Sequence, residues 1–488
     1  MIRFILVICF FFSLGAFAQQ YGNEWINYNQ RYFSFNITES GLHKIDYNTL
    51  TNAGVPLSAF TSANIQIFGR EKEISVLIED GGDNQLNPGD YLLFYAQRND
   101  SWLDSTLFDD PDWMGNPKYS MYNDTIQYFL TWNNSSTNLR IQKEIDVDFS
   151  PYTPVPFVLY EKDAWFNEKY NEGKKSSDAS SSFFVQGEGW GKTPVNGGQT
   201  GYTWDFGSLS FENIYQQPDA PPVKYRSVIV GNSDAAYTNA LGNHHTRHTI
   251  GNSNGVLFDS IFVGYTSVYA NASFPASNLP SSGNSNFKVS ILPVSGLNVA
   301  TDFQSINYYS FIYPRSTSFS NLSKLNFWID NAQGAIKSRV SVTNVNMPNP
   351  IMITLGNSPR YIPLTLSNGQ IQALIPNSIS GPNQEVVFQD NSTITAVTSL
   401  KIINESGFFT PFTSSLNPEE ALIFIYPKKL ASKVLEYKDY RMSVEGGNYN
   451  VILANVEELY LQFGGGIPKH IAAIRRFSQM VYDMATVK

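Results

Sequence analysis

The chain has 488 residues, of which 42% are hydrophobic, 14% aromatic and only 15% charged. That length predicts about three domains. A net charge of −9, with no basic cluster, argues against nucleic acid as a partner.

Residues 1–18 read as an export signal. Arg3 supplies a positive start, Phe4 to Leu14 is an apolar run, and Ala16-Phe17-Ala18 places small residues where a signal peptidase reads. Cleavage before Gln19 is expected. The run is shorter than the ~20 apolar residues that cross a bilayer. No later segment reaches that length, so the mature chain is expected to be soluble or peripheral. The only cysteine is Cys9, inside the signal. The mature chain then holds no disulfide, no thiolate metal ligand and no thiol nucleophile. An exported chain of this length without disulfides reads as bacterial.

From Gln19 to about residue 415 the pattern is mainly β, of sandwich or barrel type. Short alternating runs recur at Tyr32 to Ile37, Asn64 to Phe68, Ile74 to Ile78, Tyr91 to Tyr95 and Thr125 to Trp132, with Gly, Pro, Asn and Ser between them. A short helix is expected at Tyr47 to Ala53, ended by Gly54 and Pro56. A second is expected over Val158 to Tyr170. Residues 173–182 are small and polar and read as a mobile loop. The expected division is a β-rich domain over 19–155 and a sandwich-like region over 156–415.

Beyond Pro418 the period changes. "ALIFIYP" (421–427) reads as a strand buried on both faces. Lys428 to Val444 reads as a helix, with Leu430, Val434, Leu435 and Tyr437 as core contacts. "YNVILANV" (449–456) is a second strand, and Glu457 to Phe463 a short helix. Pro468 to Met484 is a further helix, with Ile471, Ile474, Phe477, Met480 and Val481 on its inner face. This β-α-β-α order opens a parallel α/β sheet. Two strands do not complete one, so 416–488 is expected to be an unfinished domain.

Few residues carry a legible chemistry. Gly464-Gly465-Gly466 is followed by Ile467-Pro468-Lys469-His470, which fits neither a Walker loop nor a dinucleotide fingerprint. One glycine is expected instead at the left-handed position after the helix ending near Phe463, with Pro468 in the first turn of the next helix. In "NHHTRH", His244 and His248 would share a strand face with Thr246. No carboxylate adjoins them and Arg247 intervenes, so a polar strand or exposed turn is expected rather than a zinc site. His43 and His470 stand alone. Asp83, Asn87 and Asp90 resemble a calcium loop loosely but lack its spacing and closing glutamate; a hairpin turn is expected. Glu188 could be half of a glycosidase pair, yet no partner is legible. A serine nucleophile would want Gly-x-Ser-x-Gly at a strand–helix elbow, and no such elbow is visible. No catalytic, cofactor-binding or metal-binding residue is assigned, and no cofactor is expected.

Four blocks together resemble the gingipain-type cysteine peptidases, in particular the sortase branch of the type IX secretion system. They are "ESGLHKIDYNTLTNAGV" with "NIQIFGREKEI"; "NPGDYLLFYAQRNDSWLDS" with "DPDWMGNPKYSMYNDTIQYFLTW"; "FFVQGEGWG"; and "ALIFIYPKKLASKVLEYKDYR" with "YNVILANVEELYLQFGGGIPKHIAAIRRF". The last carries a signature at Glu457, Tyr460, Phe463, Gly466, Ala473, Ile474 and Arg475. The resemblance implies a caspase-like α/β domain begun at 416–488 and a Cys–His dyad lying downstream of the Ala-Ile-Arg helix. No dyad residue is therefore carried over, and this chain is expected to be inactive. It also implies protein or peptide substrates, other secretion-system components as partners, and a location in the periplasm, at the outer-membrane surface or outside a Gram-negative cell. The rival reading is a non-catalytic surface or glycan-binding β-protein. Its platform would come from Trp102, Trp113, Trp165 and Trp190, which buried aromatic packing also explains.

Overall fold

The computed structural model describes residues 21–135, 137–174, 183–239, 241–251, 255–320, 322–412 and 416–486. The expected export signal, Cys9 and most of the polar 173–182 stretch lie outside them.

The alternating runs fold as antiparallel strands. Phe33–Ile37, Ile126–Trp132 and Ile65–Gly69 form one sheet, edged by Lys72–Ile74 and Lys401–Ile402. Gly41–Asp46, Tyr91–Ala96 and Val76–Glu79 form a second, with Thr395–Ala396 at its edge. The two sheets enclose Phe35, Ile37, Ile45, Ile67, Leu92 and Phe94, as period-two alternation requires. The expected Ile74 to Ile78 strand breaks at Ser75, and its halves join different sheets. Helix α1, Tyr47–Asn52, starts where the Asp46 carboxylate accepts the Thr49 N–H at 2.7 Å. It ends, as expected, before Gly54 at φ +79°.

A ten-stranded sheet follows, centred on Phe303–Ser316, Phe157–Trp165, Lys324–Asp330 and Asn383–Asp390. A four-stranded sheet containing His244–Ile250 covers one half, and a three-stranded sheet containing Lys337–Val342 covers the other. The opposite face of the second half rests on the first sandwich, where Ile351, Ile353 and Val387 meet Leu42, Leu77 and Leu93. The helix expected over Val158 to Tyr170 is not there. Residues 157–165 pair in full register with 308–316, and Val158 is completely buried. Long-range pairing overrides local propensity at this site.

The C-terminal unit has the expected β-α-β-α order. Ala421–Tyr426 and Asn450–Asn455 pair in parallel, with Ala421 opposite Asn450. Helix α2 is Ala431–Met442, α3 is Val456–Gln462 and α4 is Ala472–Met484. Helix α4 sets Ala473, Phe477, Met480 and Val481 against Ile452, Ala454, Leu459 and Phe463. Three expectations need correction. The 421–426 strand is half-buried along its length, not buried on both faces. Leu430, Leu435 and Tyr437 of the α2 region are exposed, although Tyr437 stacks on Phe424 at 5.2 Å. Ile471 lies outside α4 and is exposed, and Ala473 takes the inner position instead. No helix of the described residues is long and apolar enough to cross a membrane.

Candidate functional site

The C-terminal α/β unit sits on the first sandwich along a continuous seam, and the triple glycine is its closest point. The Asn455 carboxamide oxygen caps α3, accepting the N–H groups of Glu457 at 2.8 Å and Glu458 at 3.3 Å. At the other end Gly465 and Gly466 adopt φ +60° and +79°, and the Gly466 N–H donates to the Tyr460 carbonyl at 3.1 Å. The cap expected from the sequence is present. The same glycines also permit close approach. The Gln127 N–H donates to the Gly466 carbonyl at 2.8 Å. A Cβ on Gly466 would lie 2.4 Å from the Gln127 oxygen, and one on Gly465 would lie 2.6 Å from the Trp102 ring. Pro468 is not in the first turn of α4. It opens a turn over 468–470 in which Lys469 has φ +63°, and its carbonyl accepts the Asn123 side-chain amide at 2.9 Å.

His470 is not isolated. Its Nε2 lies 3.0 Å from Oδ1 of Asp104, and both side chains are fully buried. The Ala472 N–H donates to Nδ1 at 3.3 Å, which leaves the ring proton on Nε2, donating to the carboxylate. Asp104 also accepts the Ser120 hydroxyl and, at 2.7 Å, the Met121 N–H. An ionic contact also joins the units, between Arg476 of α4 and Glu71. Burial pushes the Glu71 carboxyl up, and the Arg476 guanidinium opposes that rise. Arg70 and Glu71 form a two-residue hairpin turn at φ +52° and +63°, a costly conformation for side-chain-bearing residues. A third contact is polar. Glu458 of α3 accepts the Thr410 N–H at 2.7 Å and its hydroxyl at 3.0 Å. Asp104, Glu71 and Asn123 carried no signal in the sequence, because each acquires its partner from more than 340 residues away.

The remaining candidates are structural. His244, Thr246 and His248 point inward from their strand and are completely buried, so the exposed-turn alternative is wrong. His244 Nδ1 meets Asp302 at 2.6 Å, and His248 Nδ1 meets the Tyr225 hydroxyl at 2.7 Å. His245 and Arg247 point outward onto Asp259. His43 is buried on the Gly41 carbonyl at 3.0 Å, and burial pushes it down. Asp83 and Asp90 belong to the loop between two paired strands and accept N–H groups of that loop, from Gln85 at 2.8 Å and Asn87 at 2.7 Å. Glu188 is held by the Val185 N–H at 2.7 Å and the Tyr170 hydroxyl at 3.2 Å. Trp102 packs against the first core, while Trp165 is partly exposed and stacks on Tyr119 at 4.8 Å. Among the described residues no three His, Cys, Asp or Glu side chains converge on a metal position.

Fold and seam together define a layered β region carrying a parallel α/β unit. Residues 415–488 match the model of Peptidase family C25, the gingipain family. The fold is similar to that of dimeric latent PorU from Porphyromonas gingivalis, with TM-score 0.58 and 13% identity. That match covers 93% of this chain and 40% of the PorU chain, so this sequence spans less than half the length of that relative. The infectious bursal disease virus Gx strain structure is 10% identical over 74% of this chain and 78% of that one, with TM-score 0.19. A Ruminococcus gnavus β-glucuronidase is 8% identical over 64% and 60%, with TM-score 0.16. Scores this low carry no argument. No curated protein sequence matches the chain.

Proposed function

We propose that this chain is the N-terminal part of an exported gingipain-like cysteine peptidase or transpeptidase of the type IX secretion sortase kind. The observation that carries the reading is the C25-family segment at 415–488 seated on a β region with the fold of PorU. In such an enzyme a cysteine thiolate attacks a peptide carbonyl, a histidine moves the proton, and backbone amides hold the oxyanion. Resolution of the acyl-enzyme by an amine instead of water makes the same site a transpeptidase. Residues outside this chain would supply the dyad. The burial of His470 against Asp104 at the seam supports leaving it out of the dyad.

Within this reading, two tasks fall to the residues present. The strands 421–426 and 450–455 begin the parallel sheet, whose carboxyl ends at Tyr426 and Asn455 face the side where α/β folds assemble their sites. The β region holds that sheet through the contacts of Glu71, Asp104, Asn123 and Thr410. Substrates would be proteins or peptides, and partners other components of the secretion machinery at the outer membrane.

The test uses a thiol-reactive probe and peptide substrates. The mature chain, cysteine-free once Cys9 is removed, is expected to give neither labelling nor cleavage. A product extended in frame beyond Lys488, containing a cysteine and a histidine, is expected to give both. Cleavage by the present chain, or an inert extended product, overturns the reading.

A further inference from the structure

A cavity of about 450 Å³ lies between the first sandwich and the ten-stranded sheet, a size suited to a small ligand. Four charged residues line it: Arg70, Lys72, Glu73 and Glu385. Arg70 is engaged by Asp100 at 2.7 Å. Glu73 accepts the Gln66 amide at 3.0 Å and the Leu139 N–H at 2.8 Å. Lys72 is exposed to solvent. Glu385 differs from all three. It is partly buried in the middle of a strand, and no hydrogen bond or ion pair among the described residues reaches its carboxylate. Burial, with Glu161 adding repulsion, pushes its carboxyl up.

An unpaired carboxylate held away from water is costly until a cation meets it. The walls around Glu385 say what kind of cation fits. Tyr95 stands close enough that the Glu385 charge raises its phenol further. The Tyr128 ring packs against Gly69, leaving no room for a Cβ there. Ile141, Ile353 and Leu355 add apolar surface beside the polar Ser75, Gln97 and Asn357. Aromatic rings and one carboxylate suit an organic cation, whereas calcium takes six to eight oxygens and zinc three or four protein ligands.

We propose that this cavity binds a monovalent organic cation, a primary ammonium or guanidinium on an apolar stem, with Glu385 as counter-ion and Tyr95 and Tyr128 as walls. The inference stands independently of the peptidase reading. The source is either a free amine or a Lys or Arg side chain of a peptide.

Isothermal titration of the full mature chain tests this with Nα-acetyl-lysine methylamide, n-butylammonium and the neutral Nα-acetyl-norleucine methylamide. The lysine derivative is expected to saturate below 10 mM, and the norleucine isostere to bind at least tenfold more weakly. Equal affinity for n-butylammonium assigns the site to free amines; a tenfold preference for the lysine derivative assigns it to peptide side chains. Glu385→Gln is expected to lose at least tenfold with an unchanged melting temperature. Asn357→Trp, at an exposed lining position, is expected to block binding while leaving Glu385 in place, and decides the matter should Glu385→Gln fail to fold. Failure of both cations to saturate, binding by Glu385→Gln within twofold of wild type, or parity of the neutral isostere overturns the proposal.

Discussion

Gly466 and Gly81 both have positive φ, at +79° and +67°, but only Gly466 faces a neighbour. Gly81→Ala should cost roughly 1–2 kcal/mol, the left-handed penalty alone. Gly466→Ala adds a clash with the Gln127 carbonyl and should cost about 3 kcal/mol or more, since overpacking contributes a further ~1–3 kcal/mol. Urea unfolding of the two variants checks this, and equal losses would mean the seam is not close-packed. At the Asp104–His470 pair, Asp104→Asn leaves buried donors mismatched and should cost about 3 kcal/mol, read as faster amide exchange at Met121 and Ala472. His248 gives a pH prediction. Burial between the two sheets pushes it down to about 3 from the ordinary 6.5. Its folded pKa lies below the unfolded one, so its contribution to stability is complete above pH 6.5. That contribution falls as pH drops toward 3, by roughly 1.4 kcal/mol per pH unit. His248→Gln should flatten the decline in unfolding free energy between pH 6.5 and pH 4, and an unchanged slope would refute the assignment. The histidines were legible as strand residues, but nothing in "NHHTRH" announces Tyr225 or Asp302 as partners.

Helices α2 and α4 show what periodicity can and cannot tell. Both carry apolar residues at helical spacing. In α4 they reach a core, and Phe477 is completely buried. In α2 no residue is buried, and Leu435 and Tyr437 are each 49% exposed. Leu435→Gln should therefore shift stability by less than about 0.5 kcal/mol, while Phe477→Ala should cost about 3–5 kcal/mol. Thermal melts of both variants separate the cases, and a large loss from Leu435→Gln would reveal an unseen covering element. The 157–165 strand is the converse. Its sequence permitted a helix, and only pairing with 308–316 made it a central strand. Helix α1 is legible because the residues that end it, Gly54 and Pro56, lie directly beside it, while the Asp46 cap emerges from the structure.

For the whole molecule, the seam makes the C-terminal unit dependent on the β region. Ile467 and Ala472 are buried in the core of the first sandwich, not in their own unit. Residues 416–488 produced alone should lack a cooperative melt, whereas the full chain should retain it. A folded, cooperative 416–488 fragment would show that the seam is dispensable. The strands Thr395–Ala396 and Lys401–Ile402 return to the edges of the first sandwich after some 250 intervening residues. At two residues each they are too short to show any period.

By itself the sequence determined the mainly β class, the switch to β-α-β-α order after Pro418, the glycine cap at 464–466 and the likeness of the C-terminal segment to Peptidase family C25. Each of these depends on neighbours within a few residues or on a motif held in one stretch. The tertiary structure alone decided which apolar faces are covered, that His470 and Asp104 seal the seam, and that Glu385 is left without a partner. Those outcomes depend on contacts between residues tens to hundreds of positions apart, which local periodicity does not encode.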